Sequence, residues 1–292
     1  TYIASVLAIS DAGLIPVLAE PDALTSNLDI HKAARLVGSR TRAIMPVHLY
    51  GRVCFNEELA DMATRHNLLV IEDNAQAIGA TSGIAGLYGT HATGGLGHAA
   101  GLSFYPTKNV GALGDAGIVT THDPELAATV RALANYGADR RYHNLYCGFN
   151  CRMDSIQAAM LMVKLRHLDE ENDYRRQIAS VYCSAITNPH ISLPLFAPDC
   201  VFHQFVVHTP HRKAFTAWLD ANGIGWDMHY ATPPHRQPCY MQPQLTNAPV
   251  LPPDGLPVTE RLADTCVSLP ISRCTSPDDA HRIAEIINGF QP

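Results

Sequence analysis

SFYPTKNVGALGDAG, residues 103–117, holds one basic side chain, Lys108, and no other Lys or Arg occurs between Arg65 and Arg131. A structural lysine usually sits on a solvated face among other charges. This one follows the half-apolar run Ser103-Phe104-Tyr105 and precedes a turn containing Gly111, Gly114 and Gly117. A lone amine at the end of a strand is a candidate nucleophile, because a lysine moved out of water or set beside a partner gains reactivity.

Outward from this stretch, strand and helix signals alternate. "IPVL" (15–18), "AIMPVHL" (43–49), "LLVI" (68–71), "AAGLSFY" (99–105) and "AGIVTT" (116–121) read as strands. "FNEELADMATRHN" (55–67) reads as a helix with Leu59, Met62, Ala63 and His66 on one face. "DPELAATVRALANYG" (123–137) carries Asp123 as N-cap, Pro124 in the first turn and Gly137 at the C-terminal end. Strands spaced by helices predict an α/β fold with a mainly parallel sheet. A long helix is predicted from Asp154, where Asp154 and Gln157 fit a capping box, to about Tyr182. Ile156, Met160 and Val163 share one of its faces. Beyond it the chain becomes proline-rich, with a strand at 201–208, a helix at 212–223 and a last helix opened by Ser276. The expected division is a large domain over 1–170 and a connecting helix with a small α+β domain over 171–292.

Composition narrows the function. The 292 residues are 47% hydrophobic and 16% charged, with a formal net charge of -6 and no basic run. A nucleic-acid footprint would need clustered Lys and Arg. No apolar run reaches membrane-spanning length. Eight cysteines occur without a C-x-x-C pair, which reads as reduced thiols in a cytoplasmic protein. Cys147 and Cys151 could form half of a metal site, but no second half follows, and no metal is expected. His203, His208 and His211 are most simply explained by alternation along a strand.

Four positions carry the chemistry. Asp73 ends an apolar strand, where ligands gather in open α/β sheets; a helix cap is the plainer reading of such an acid. Gln76 falls near Asp73 if "DNAQ" starts a helical turn. Ser103 precedes Lys108 and could bond a phosphate. Gly94-Gly95-x-Gly97 and Gly111-x-x-Gly114-x-x-Gly117 match neither nucleotide-loop pattern and read as tight turns. Together, an acid after one strand and a lysine after the next suit pyridoxal 5'-phosphate. The amine forms a Schiff base with the cofactor aldehyde, and the carboxylate keeps the pyridine nitrogen protonated.

With that constellation in place, several stretches resemble the DegT/DnrJ/EryC1/StrS family of sugar aminotransferases: "IEDNAQAIGA" (71–80), "SFYPTKNVGALGDAGIVTT" (103–121), "GFNCRMDSIQAAMLMVKLRHLD" (148–169), "RRQIASVY" (175–182), "TRAIMPVHLYG" (41–51), "VFHQFVV" (201–207), "HYATPPHRQPCY" (229–240) and "VSLPIS" (267–272). The resemblance implies a fold-type I enzyme, homodimeric, that moves an amino group from glutamate onto a nucleotide-linked keto sugar. It makes Lys108 the cofactor lysine and catalytic residue. It pairs Asp73 with the pyridine nitrogen, sets Gln76 by the ring oxygen, gives the phosphate to Ser103 and stacks Tyr2 on the ring. It sends Asn150 to the phosphate of a neighbouring subunit and puts His229 and Tyr230 near the sugar. The wording of 103–115 is most similar to the branch acting on dTDP-linked 3-keto-6-deoxy sugars. Three departures stand against the family pattern: an N-terminal portion is missing, the connection 86–98 is a few residues longer, and Cys151 replaces a common serine. Alternatives at this stage are a sugar dehydratase, in which the family's lysine gives way to histidine, and a non-catalytic homologue that binds a sugar nucleotide or a partner.

Overall fold

The computed structural model describes residues 1–242 and 245–292. In chain order its elements are α1 (Ile3–Asp11), α2 (Ile30–Ala34), β1 (Ala43–Ile44), α3 (Glu57–Arg65), β2 (Leu69–Asp73), β3 (Ala99–Ser103), β4 (Gly117–Thr121), α4 (Pro124–Leu133), β5 (Ala138–Arg140), β6 (His143–Asn144), α5 (Ser155–Leu165), α6 (Leu168–Ala185), β7 (Phe205–His208), α7 (Arg212–Ala221), α8 (Pro257–Thr265), β8 (Cys266–Leu269) and α9 (Pro277–Asn288).

The order β1-β2-β3-β4 forms the main sheet. β1–β2 and β2–β3 are parallel, but β3–β4 is antiparallel. The α/β class holds, and the expected mainly parallel sheet is corrected to a mixed one. The reason is local: β4 returns directly after the lysine loop, with Ser103 opposite Gly117, and no helix intervenes to carry the chain back for a parallel pairing. The expected strand at 43–49 stops at Ile44, because Pro46 has no N–H for the ladder. Its carbonyl still accepts from Asp73 N at 2.9 Å. The expected strand at 15–18 is only a single bridge between Val17 and Val250.

The predicted long helix is two helices. Its first turn has no side-chain cap at Asp154, and Gln157 donates its Nε2 to the Asp115 carbonyl at 3.1 Å. The break falls at Arg166–His167, and the second helix starts with Asp169, Glu170 and Glu171 in its first turn. Three carboxylates there favour a new N-terminus through the helix dipole. The capping box at Ser276 and Asp279 forms in full.

Separate apolar clusters support the two ends of the molecule. Leu59, Met62, Val70 and Leu96 pack α3 against β2. Phe104, Val110, Ala112 and Leu161 pack the lysine loop against α5. Ile178, Tyr182, Phe205, Phe215, Val267 and Ile287 join α6, β7, α7, β8 and α9. A buried carboxylate ties the N-terminal segment to the other end of the chain. Glu20 accepts from Val258 N at 2.7 Å, and from Thr259 N and Oγ1 at 2.9 and 2.8 Å, capping α8 from outside its own sequence.

Candidate active site

β2 and β3 run parallel, so their carboxyl ends meet at one edge of the sheet. Asp73 closes β2 and pairs with Gly101, which leaves Ser103 two residues further out on β3. The segment after Asp73 is a turn and not the expected helical start. Asp73 Oδ1 accepts from Ala75 N at 3.1 Å, the geometry of an Asx turn. Its Oδ2 accepts from Ser5 Oγ at 2.6 Å. Ser5 lies in the first turn of α1, one turn beyond Tyr2.

The lysine loop is held at both ends. Phe104 N donates to Ala116 O and Ala112 N donates to Phe104 O, each at 2.8 Å. With Phe104 and Val110 buried as anchors, Lys108 sits half-buried beside the end of β2. Burial lowers its pKa from the ordinary value, and the charge of Asp73 opposes that shift. An amine with a lowered pKa is more often unprotonated at neutral pH, and hence more nucleophilic.

Gln76 is clamped from both sides. Its Oε1 accepts from Tyr50 N at 2.7 Å, and its Nε2 donates to Tyr230 Oη at 2.9 Å. Tyr50 adopts a left-handed φ of 59° and donates its hydroxyl to the His229 carbonyl. The Tyr2 and Tyr230 rings lie 5.4 Å apart, tilted by 42°. Burial raises the Tyr230 phenol to about 12, so it stays protonated. His229 Nδ1 lies 2.7 Å from Ser268 Oγ and its Nε2 3.5 Å from Asp227. Burial lowers its pKa while Asp227 works against that.

The structure thus brings Lys108, Asp73, Gln76, Tyr2, His229 and Tyr230 to one place, with Ser103 on the adjoining strand end. Ser103 Oγ accepts from Tyr105 N at 3.2 Å. Asn150 lies elsewhere: it bridges Asn135 near the end of α4 and is exposed. Sequence reasoning missed Ser5 and Tyr50. Tyr50 stood within the quoted "TRAIMPVHLYG", but its backbone N–H and its hydroxyl meet Gln76 and His229, 26 and 179 positions away, which no local pattern announces. An amine of lowered pKa, a carboxylate and an aromatic ring at one sheet edge are the donor set that pyridoxal phosphate needs, so the residues present fit it.

Comparison with known proteins agrees. The family model for the DegT/DnrJ/EryC1/StrS aminotransferase family matches residues 1–288. The chain is 45% identical, over 99% of its length and 77% of the relative's, to the dTDP-3-amino-3,6-dideoxy-alpha-D-galactopyranose transaminase of Aneurinibacillus thermoaerophilus. It is 40% identical to the dTDP-3-amino-3,4,6-trideoxy-alpha-D-glucose transaminase of Streptomyces venezuelae, over 98% of this chain and 73% of that one. Among solved structures, S. venezuelae DesV in complex with a ketimine intermediate superposes with a TM-score of 0.90 at 40% identity, covering 99% of this chain and 75% of the other. The chain belongs to the DegT/DnrJ/EryC1/StrS aminotransferase family, and its cofactor is pyridoxal 5'-phosphate.

Proposed function

We propose that this aminotransferase moves an amino group from glutamate to the keto carbon of a dTDP-linked 3-keto-6-deoxyhexose. The observation that supports the reading is a half-buried Lys108 amine within electrostatic reach of Asp73, the acid that ends β2; the relatives' dTDP-3-amino sugar names support the substrate. Bound pyridoxal phosphate supplies the ring that accepts the electron pair of the substrate carbon.

The protein's own groups do the rest. Lys108 would hold the cofactor aldehyde and would move the proton at the substrate carbon. Asp73 keeps the pyridine nitrogen protonated, and Ser5 keeps Asp73 aimed. Gln76, fixed by Tyr50 and Tyr230, would meet the cofactor's ring oxygen, and Tyr2 would pack against its ring. Ser103 binds the phosphate. His229 and Tyr230 face the sugar. The test offers dTDP-linked 3-keto and 4-keto sugars in separate reactions with glutamate, and reads the products by mass spectrometry. Amino sugar and 2-oxoglutarate are expected together from the 3-keto substrate. A dehydrated sugar formed without 2-oxoglutarate overturns the reading.

The same proposal includes a second copy of the chain, whose Asn150 would reach this copy's phosphate. Its support is an unpartnered apolar stripe. The α5 face that Ile156, Met160 and Val163 share points outward, with Ile156 72% and Val163 55% exposed, and Phe149, ahead of α5 in sequence, is 70% exposed. Such a face on a single chain marks an interaction surface. The protein is expected to sediment at twice the chain mass, and Phe149→Asp/Ile156→Asp at the chain mass. A wild-type protein sedimenting as one chain removes this part. We assign the reaction to the cytoplasm, supported by the eight free cysteines. Among the described residues, no helix is long and apolar enough to cross a membrane.

A further inference from the structure

Asn109 follows Lys108 directly, and its carboxamide joins a polar chain through three other segments. Its Nδ2 donates to Asn172 Oδ1 at 2.8 Å and to the Val201 carbonyl at 3.1 Å. Asn172, in α6, donates its own Nδ2 to the Ile78 carbonyl at 3.0 Å. Asn109 Oδ1 lies 3.1 Å from His203 Nδ1.

The direction of this chain is fixed by its ends. The carbonyls of Ile78 and Val201 can only accept, so both carboxamides turn their N–H groups toward them. That leaves Asn109 Oδ1 as an acceptor facing His203, and His203 Nδ1 must carry the hydrogen. His203 does not lie in β7, as strand alternation would have it; it precedes the strand and is buried. Burial first, then the facing charges of Lys108, Arg175 and His229, hold its imidazolium well below the ordinary range. The ring is therefore a neutral donor at physiological pH. The packing leaves little slack, since a Cβ on Gly79, at φ +81°, would stand 2.6 Å from Asn172 Nδ2.

We infer that His203 is a positioning residue for Lys108: its Nδ1–H locks the Asn109 carboxamide, and Asn109 fixes the backbone that carries the lysine. The orientation of the amine is thereby set from the segment leading into β7 and from α6, not from the lysine loop alone. The inference rests on Lys108 being the cofactor lysine, as proposed above. Misplacing a reacting group by about 1 Å can cost about a hundred-fold in rate, and an unlocked Asn109 permits a shift of that order.

The test compares His203→Asn and His203→Leu in the cofactor-loaded protein. Asparagine places an amide N–H where Nδ1–H stood; leucine cannot donate. The readouts are the pH midpoint of the bound cofactor's visible band, kcat with glutamate, and the thermal midpoint. His203→Leu is expected to move the band's midpoint by about one pH unit and to lower kcat about ten- to a hundred-fold. His203→Asn is expected to restore both, while both variants lose thermal stability through lost ring packing. A midpoint and kcat unchanged in His203→Leu, with a band that still depends on Lys108, overturn the inference and leave the function standing. A band that survives Lys108→Ala overturns the lysine assignment and the inference with it. In the wild-type protein, 15N imidazole shifts are expected to report the Nδ1–H tautomer of His203; the Nε2–H tautomer overturns the inference even if neither variant folds.

Discussion

Lys108→Met is expected to abolish the visible band of the bound cofactor and to lower amino transfer by about ten-thousand-fold or more, the upper range for a positioned proton-transfer group that also serves as nucleophile. Methionine keeps an unbranched side chain in the same space, so the loss is of the amine and not of packing. The fold should tolerate it. Burial lowers the Lys108 pKa in the folded chain, which means that the ammonium is held less well there than in the unfolded chain. Between the lowered value and the ordinary lysine value of about 10.4, the unfolded chain binds more protons, so stability rises with pH through that window. Methionine has no such proton, and the variant's stability should be flatter with pH there, with a thermal midpoint no lower than wild type at neutral pH. Absorbance, single-turnover assay and thermal scans over pH measure the three effects. Transfer within tenfold of wild type would remove Lys108 from the chemistry.

How much of this site the sequence disclosed depends on how far apart its partners lie. Lys108 was legible because it is the one cation between Arg65 and Arg131, and Asp73 because it ends an apolar run. Both are local signals. The groups that orient them are not local. Ser5 reaches Asp73 across 68 positions, and Tyr230 reaches Gln76 across 154. No periodicity carries that information; only the resemblance pointed toward Tyr2, His229 and Tyr230. Elements failed where one residue overruled a pattern, as Pro46 did in the expected strand at 43–49. The Asp154 capping box does not form, and Gln157 turns its amide N–H to the Asp115 carbonyl, 42 positions away. The glycines at 94–97, read as a tight turn, prove to have a more specific cause, which is a buried carboxylate.

That carboxylate is Glu72, the neighbour of Asp73, and Glu72→Gln is expected to destabilise the fold by about 2–6 kcal/mol, the cost of leaving two buried donors unpaired at about 1–3 kcal/mol each. Its side chain is wholly buried. Oε1 accepts from Leu96 N and Gly97 N, and Oε2 from Gly94 N and His48 Nε2, all at 2.8 Å. His48 Nδ1 accepts from Cys54 N at 2.9 Å, so its hydrogen is on Nε2 and the ring is a neutral donor. Four donors therefore converge on one anion. Glycine is needed in this cradle, because Gly94 has φ +86° and a Cβ on Gly97 would meet the Val70 carbonyl at 2.7 Å. A glutamine turns an NH2 group against two of these donors and leaves them unpaired. Burial alone would raise the Glu72 pKa, but the bonds from His48, Gly97 and Gly94 outweigh it and the net shift is downward. A depressed carboxylate contributes stability above its unfolded value of about 4.3 and loses it as pH falls through the folded value. Urea unfolding at neutral pH should show the full deficit in Glu72→Gln, and the gap from wild type should narrow on acidification below about pH 4. Because His48 N donates to the Asp73 carbonyl at 3.1 Å, the variant should also bind cofactor more weakly. A neutral-pH deficit under about 1 kcal/mol, constant with pH, would show that the carboxylate is not the anchor of the loop.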